Sequence, residues 1–311
     1  MTDTASHIDA PAASDPIDPA ALMRIKSLAL RAKVVVEGFW RGIHRSPYHG
    51  FSVEFTEYRQ YSPGDDTRYL DWRLYARSDR YYIKKYEDET NLRCWLVVDR
   101  SRSMGFGTIG YTKADYAATL AASISRLLFR QGDAVGLITF DRDIDTYLPP
   151  RNRPGHLKHL TAALSKTPDG RATDLSEPLN RVAQIARRRG LMVLVSDLLA
   201  PVDRLRRDMG MLRARGHDVM VFQILDPREL DFGFESPTRF EDMETGRQLY
   251  VDPVAASTDY RKRLERHLAD VRAACGDLGA DLFLMDTQTP LDTALLAFLK
   301  RRAARSKGAV R

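Results

Sequence analysis

The stretch Arg93-Cys-Trp-Leu-Val-Val-Asp-Arg-Ser-Arg-Ser103 decides the fold. Residues Cys94 to Val98 form a continuous apolar run, and a short run of this kind that ends in a polar loop is typical of a buried strand. The loop that follows carries one carboxylate, Asp99, and the hydroxyls of Ser101 and Ser103. The stretch therefore predicts a central strand with several oxygen atoms at its carboxyl end.

Towards the C-terminus, short apolar runs alternate with segments of helical periodicity. The predicted strands are Arg93–Val98, Ala134–Phe140, Leu191–Ser196, Asp218–Leu225 and Asp281–Met285. The predicted helices are Lys113–Arg130, Pro154–Ser165, Leu175–Arg189, Val202–Ala214, Val254–Asp277 and Leu291–Arg302. Strands that alternate with helices of this length predict an α/β fold with a doubly wound, mainly parallel sheet.

The N-terminal part of the chain has a different character. Residues 1–20 contain acidic residues but no Lys or Arg, and we expect them to be a disordered lead-in. Residues 21–91 form a small N-terminal extension, and a helix is predicted over Ala20–Glu37. Within this extension, Phe51–Tyr58 alternates like a strand and Ser62–Asp66 signals a turn.

Residues 92–302 are predicted to form the main domain, followed by a basic tail at 303–311. One segment, 234–251, is too long for a simple connection. Because Thr245 and Gly246 separate two strand-like runs there, we expect a hairpin inserted on the edge of the sheet.

Ligands of open α/β sheets bind beyond the carboxyl ends of the strands, so the residues just after each strand are the candidates for chemistry. The candidates with side-chain oxygens at these places or in the loop before a helix are Asp99, Ser101, Ser103, Thr173 and Asp197. Two carboxylates and three hydroxyls suit a hard cation such as Mg²⁺, with Mn²⁺ also possible. A structural alternative stays open, because Asp197 and Thr173 are also residue types that cap helices.

This pattern resembles the metal-ion-dependent adhesion site (MIDAS) of von Willebrand factor A-type (vWA) domains. There, an Asp-x-Ser-x-Ser loop is followed by a distal Thr and a distal Asp, and all three parts occur here in that order. The resemblance implies a vWA fold in which the five residues hold a divalent cation whose open position accepts a carboxylate from a protein partner. One departure is Leu198, where many family members have Gly.

The segment from Glu57 to Arg77 narrows the family further. It reads Glu-Tyr-Arg-Gln-Tyr-Ser-Pro-Gly-Asp-Asp-Thr-Arg-Tyr-Leu-Asp-Trp-Arg-Leu-Tyr-Ala-Arg and resembles the signature of the DUF58 family, which directly precedes a vWA strand. The resemblance covers roughly Gly38 to Arg302. It implies an adaptor that partners a MoxR-type AAA+ ATPase in the assembly or maturation of other proteins. The structural alternative is that the charged residues of this segment form an ion-pair network that Trp72 anchors against the sheet.

Composition and charge argue against several classes of protein. The sequence has no apolar run of about 18 residues and no signal peptide, so membrane insertion is not expected. Its two cysteines form no motif, which favours the reducing cytoplasm, and Cys94 is predicted to be a buried free thiol. The net charge of +6 comes without a nucleic-acid reader motif, so nucleic-acid binding is not expected.

Two enzymatic interpretations compete with the adaptor. Gly105-Phe-Gly-Thr-Ile-Gly110 matches a dinucleotide fingerprint, but the Asp-Ser-Ser loop fills the turn where that fingerprint belongs. We expect a flexible loop that rims the metal site. A metal-dependent phosphotransferase or hydrolase is the main alternative, with Asp99 as nucleophile. The second position after Asp99 is Ser101 and not an acid, and the histidines, among them His156 and His217, are expected to be solvated. The sequence favours a non-enzymatic adaptor.

Overall fold

The structure is a computed structural model that describes residues 17–45, 57–61, 75, 77, 80–85, 92–167, 176–234, 238–241, 248–251 and 253–308. In chain order, the helices are α1 (Pro19–Met23), α2 (Leu28–Arg45), α3 (Lys113–Arg130), α4 (His156–Leu164), α5 (Ser176–Ile185), α6 (Val202–Ala214), α7 (Pro227–Asp231), α8 (Pro253–Asp277) and α9 (Leu291–Gly308). The strands are β1 (Glu57–Gln60), β2 (Tyr82–Lys85), β3 (Arg93–Asp99), β4 (Ala134–Phe140), β5 (Ile144–Arg151), β6 (Leu191–Ser196), β7 (Asp218–Leu225), β8 (Thr238–Glu241), β9 (Gln248–Val251) and β10 (Asp281–Asp286).

Six strands form one sheet in the order β10-β7-β6-β3-β4-β5, and every neighbouring pair is parallel except β4 with β5. The predicted doubly wound, mainly parallel sheet is therefore confirmed. From β3 the chain winds to β4 on one side and later to β6 on the other. The carboxyl ends of β3 and β6 consequently flank the topological switch point, where sheets of this kind bind ligands.

The antiparallel edge strand β5 is not among the predicted strands. Its residues alternate only partly between half-buried and exposed positions, and its pairing with β4 contains register shifts. Pro149 and Pro150 cannot donate ladder hydrogen bonds, which restricts them to an edge strand. The apolar pattern of a central strand is therefore absent from this stretch.

Helices cover both faces of the sheet, and the pleat of β3 divides its side chains between two apolar layers. Cys94, Leu96 and Val98 face the layer that includes α2, α3, α4 and α9, whereas Trp95 and Val97 face the layer of α5, α6 and α8. The predicted buried free thiol of Cys94 is confirmed. Each fully buried large apolar side chain contributes about 1.5–3 kcal/mol, so these layers fix the strand ends firmly.

The single helix predicted over Ala20–Glu37 is wrong, because the structure has two helices, α1 and α2. The Asp18 side chain accepts hydrogen bonds from the amides of Ala20 and Ala21 and caps α1. Ser27 then starts α2, since its carbonyl and hydroxyl oxygens both accept from the amide of Leu30. Two caps in close succession break a pattern whose apolar spacing alone is continuous.

The hairpin predicted within residues 234–251 is present as β8 and β9, which pair antiparallel. Its predicted place on the edge of the main sheet is wrong, because the two strands form a separate two-stranded sheet. A further two-stranded sheet joins β1 to β2, so only the end of the strand predicted at Phe51–Tyr58 is described. The turn at Ser62–Asp66 and Trp72 lie outside the described residues. No described helix is both long and apolar enough to cross a membrane.

Candidate metal centre

The carboxylates of Asp99 and Asp197 lie at the carboxyl ends of the neighbouring strands β3 and β6. Val98 pairs with Val195 in the parallel ladder, so the two chains deliver these aspartates side by side at the switch point. Both residues are 1% exposed. The structure thus brings together two of the residues singled out from the sequence, in a place where charge is costly unless it is compensated.

The Asp99 carboxylate is oriented through both of its oxygens. Oδ1 accepts a hydrogen bond from the Ser101 amide at 2.8 Å, and Oδ2 accepts one from the Ser196 hydroxyl at 2.6 Å. Burial raises the pKa of Asp99 to about 7, and the charge of Asp197 adds to the rise while these hydrogen bonds oppose it. Each carboxylate oxygen has a second lone pair, so Asp99 can still accept a cation.

Ser101 and Ser103 lie on the 3-10 turn that follows β3, with Ser101 at its N-cap. Their hydroxyl oxygens are 3.0 Å apart, so the two side chains already share a hydrogen bond. Met104 next to them is fully buried and fixes the turn against the core. Thr173, the remaining residue of the predicted set, lies outside the described residues.

Asp197 is held by its main chain and by its side chain. Its carbonyl accepts from Gln223 Nε2 at 3.0 Å, and its Oδ1 accepts from the Leu199 amide at 3.3 Å. The next residue, Leu198, has a φ of 55°, which costs a non-glycine residue roughly 1–2 kcal/mol. This left-handed backbone explains why Gly suits the position, and complete burial of the Leu198 side chain holds the conformation here.

A buried lysine, Lys113, completes the centre and was not singled out from the sequence. Its Nζ donates to Asp197 Oδ2 at 2.9 Å and to Glu229 Oε1 at 2.6 Å. Burial by itself lowers the pKa of Lys113, but the charges of Asp197 and Glu229 outweigh it and raise that pKa above its ordinary value. The pKa of Glu229 is also raised, because its burial outweighs the attraction of Lys113. Contacts this short keep Lys113 protonated.

The donor set fits a hard divalent cation. Within the described residues, no group of three or more His, Cys, Asp or Glu is arranged to hold a metal, so a cation must also use hydroxyl oxygens. Asp99, Asp197, Ser101 and Ser103 supply oxygen only, which is the preference of Mg²⁺. Three carboxylates there are buried or largely buried. Lys113 pairs with those of Asp197 and Glu229, whereas Asp99 makes no ion pair within the described part of the chain.

The glycine-rich loop beside the centre is fastened to the fold rather than loose, contrary to our expectation. Thr108 donates from its amide and its hydroxyl to the two carboxylate oxygens of Asp226, at 2.8 and 2.6 Å. A Cβ on Gly107 would lie 2.1 Å from the Tyr111 carbonyl oxygen, so the close turn requires glycine there. These glycines serve the packing of a loop, and Ser101 and Ser103 occupy the turn after β3.

The expectation of solvated histidines is wrong for His156 and His217, which are both buried. Each Nε2 lies 2.8 Å from a main-chain carbonyl oxygen, that of Val135 or that of Ala186. Local sequence position did not reveal this, because both side chains reach backbone atoms of residues distant in the sequence. His267 is nearer the centre, and its Nε2 lies 2.8 Å from the Leu198 carbonyl oxygen.

A polar groove of about 280 Å³ opens next to the centre and is lined by Arg100, Asp141, Asp145, Lys166 and Thr167. Arg100 directly follows Asp99, and its guanidinium donates to the Ala163 carbonyl at 3.2 Å. On the other side, Leu199 is 47% exposed two residues after Asp197. The surface around the centre therefore has one polar and one apolar flank.

A family model and curated proteins are similar to the chain over a large or a smaller part of its length. The family described as protein of unknown function DUF58 matches residues 57–274. Uncharacterized protein Rv1480 of Mycobacterium tuberculosis is 30% identical over 298 residues, covering 94% of this chain and 92% of the relative. Uncharacterized protein YeaD of Bacillus subtilis is 25% identical over 126 residues, which are 40% of this chain and 28% of that protein.

Solved structures overlap the chain only in part. An aerotolerance-related membrane protein from Bacteroides fragilis NCTC 9343 has a TM-score of 0.42 and 14% identity, covering 68% of this chain and 99% of that one. The VWA domain of SpRpn10 has a TM-score of 0.39 and 13% identity, covering 66% of this chain and 93% of that one.

Proposed function

The chain belongs to the DUF58 family, and from that premise we propose that it is a divalent-metal-dependent protein-binding adaptor. The residues that hold the metal are Asp99, Ser101, Ser103, Thr173 and Asp197. The metal is Mg²⁺, with Mn²⁺ as the alternative, because every donor atom is oxygen. The adaptor role is non-enzymatic, and the two unpaired thiols favour work in the cytoplasm.

One observation carries this proposal, namely the burial of Asp99 and Asp197 at the ends of β3 and β6. Two carboxylates at a topological switch point sit where open sheets bind ligands. Burying them costs free energy that apolar side chains in the same place would not cost. A function that requires the charge is therefore the better explanation, and oxygen-rich charge of this kind is what a hard cation needs.

Hydrogen bonds from neighbouring residues fix the two carboxylates of the proposed site. The Ser196 hydroxyl and the Ser101 amide fix the Asp99 carboxylate, and the main-chain bonds of Asp197 do the same on the neighbouring strand. A cation held by these residues would supply positive charge at the surface between the polar groove and Leu199. That charge would attract an Asp or Glu side chain of a partner, and an apolar neighbour of that side chain would pack on Leu199.

A MoxR-type AAA+ ATPase is the partner that the family resemblance suggests, with a role in the assembly or maturation of other proteins. Co-purification of the two proteins tests this proposal. Binding should require Mg²⁺, disappear with EDTA, and disappear in Thr173→Ala, which removes a ligand without changing the net charge. Binding that survives EDTA and Thr173→Ala but fails at moderate salt would mean that the contact is electrostatic and lies elsewhere.

A direct assay distinguishes the adaptor from the rival function, which is that of a metal-dependent phosphotransferase or hydrolase. The purified protein with Mg²⁺ should not hydrolyse nucleotides or phosphate esters faster than Asp99→Ala does. Metal-dependent turnover that vanishes in Asp99→Ala would overturn the adaptor proposal.

A further inference from the structure

Lys113 occupies a position that both burial and the helix dipole disfavour. It is the first residue of α3 and is fully buried. A cation at a helix N-terminus opposes the helix dipole, and a buried ammonium loses its hydration. The capping of α3 does not need it, because Thr112 and Asp115 form a capping box without it. The favourable contacts that offset these costs are the two carboxylates that Lys113 bridges.

Lys113 connects the candidate metal centre to two further acids, Glu229 and Asp226. From Asp197 the contacts run through Lys113 Nζ to Glu229, whose other carboxylate oxygen accepts from the Asp226 amide at 2.8 Å. The Asp226 carboxylate in turn binds Thr108 of the glycine-rich loop. The Lys113 ammonium is thus a cation at Asp197 that belongs to the chain itself. The Glu229 carboxylate on its other side can retain this ammonium.

We propose that Lys113 is a built-in counter-ion that competes with the divalent cation for Asp197 and so sets the affinity of the site. The inference rests on the proposed metal role of Asp197. In the metal-free protein the ammonium neutralises Asp197. When a cation binds, the Asp197 charge is shared, and Glu229 holds the ammonium. The site is therefore tuned to bind weakly enough for the cation, and a partner that it bridges, to be released.

Titration calorimetry with MgCl2 on the full chain tests the role of Lys113. Lys113→Met removes the competitor, so Mg²⁺ should bind at least about tenfold more tightly than to the wild type, a difference of about 1.4 kcal/mol. A merely structural lysine would give no change or a loss. Because Lys113→Met leaves two acids without their counter-ion, the double variant Lys113→Met/Glu229→Gln serves as a second test with a neutral interior, and it should also bind more tightly.

Arg102→Met is the matched control, since Arg102 is an exposed cation on the turn of the same site. Its removal also takes one positive charge away, but solvent screens that charge, so the Mg²⁺ affinity should stay within about twofold. Equal tightening in Arg102→Met and Lys113→Met would overturn the inference, because general electrostatics would then account for both.

The outcomes separate this inference from the proposed function. Mg²⁺ binding by the wild type with equal or weaker binding by the folded Lys113 variants leaves the metal site standing and overturns the role of Lys113. Binding by the variants but not by the wild type supports the counter-ion and contradicts metal dependence of the native chain. Absence of binding in all of them overturns both.

Discussion

Buried acidic residues are paired with cations differently at the two ends of the main sheet. At the amino end, Asp133 before β4 pairs with Arg302 at 2.7 Å, and Asp281 at the start of β10 pairs with Arg301 at 2.7 Å. Each acid there has an arginine of its own from α9. At the carboxyl end, Lys113 pairs with both Asp197 and Glu229, and Asp99 makes no ion pair within the described residues.

This difference is what we expect if the acids at the amino end stabilise the fold and those at the carboxyl end serve the proposed cation. The two pairs at the amino end connect α9 to the sheet and give Asp133 and Asp281 a partner of opposite charge. The charge of Asp99 does not stabilise the fold, because burial and repulsion from Asp197 both disfavour its ionisation. Variants at the two ends should accordingly change different quantities.

The largest effect is expected for Asp99→Ala at the carboxyl end. Removal of this carboxylate should weaken Mg²⁺ binding at least about a hundredfold, the equivalent of about 2.7 kcal/mol, while the fold is retained. Calorimetry and circular dichroism measure the two properties. Asp259→Ala, at an exposed site on α8, is the control and should bind like the wild type. Unchanged affinity in folded Asp99→Ala would remove Asp99 from the metal site.

The opposite result is expected for Arg302→Met at the amino end. It leaves Asp133 buried without this guanidinium, so the free energy of unfolding should fall by about 2 kcal/mol. Breaking a fully buried ion pair costs about 3–5 kcal/mol, and the loss is smaller here because Arg302 is partly exposed to water. Urea unfolding gives the value, with exposed Lys300→Met as the control. A change in Mg²⁺ affinity in Arg302→Met would mean that the two ends are not independent.

Addition of Mg²⁺ should stabilise the wild type by about 2.7 kcal/mol when its concentration is one hundred times the dissociation constant. Thermal unfolding with Mg²⁺ and then with EDTA measures the increment. Because the ends are far apart in the sheet, Arg302→Met should show the same increment as the wild type. An increment that persists in Asp99→Ala would place the ion somewhere else.

The smallest effect on the folded chain is expected for Leu199→Ser on the apolar flank of the centre. The side chain is 47% exposed, so stability should change by no more than about 0.5 kcal/mol and Mg²⁺ affinity should not change. Co-purification with the ATPase should nevertheless weaken, because the apolar contact of the partner is lost. Wild-type recovery of the ATPase by Leu199→Ser would exclude this flank from the interface.

Sequence periodicity was sufficient for the architecture around the centre. The strands β4, β6 and β7 and the helices α3 and α6 have the bounds that the apolar patterns predict. Elements that are buried on one or both faces show a clear periodicity of apolar residues in the sequence. The half-buried strand β5 shows only a weak one. The spacing of apolar residues also does not reveal helix caps. The break at Ser27 within the predicted N-terminal helix was therefore not predicted.

By itself, the sequence determined that oxygen-bearing residues follow two strands of a doubly wound sheet, and the topology of such a sheet makes Asp99 and Asp197 neighbours. Only the tertiary structure decided how their charge is compensated. Lys113 lies 84 residues from Asp197 and 116 from Glu229 along the chain. Asp133 and Arg302 meet because α9 packs against α2, α3 and β10, which brings its Arg302 to the residue before β4. Local pattern reports which face of an element is apolar, but the partner of a buried charge depends on which distant elements the packing brings together.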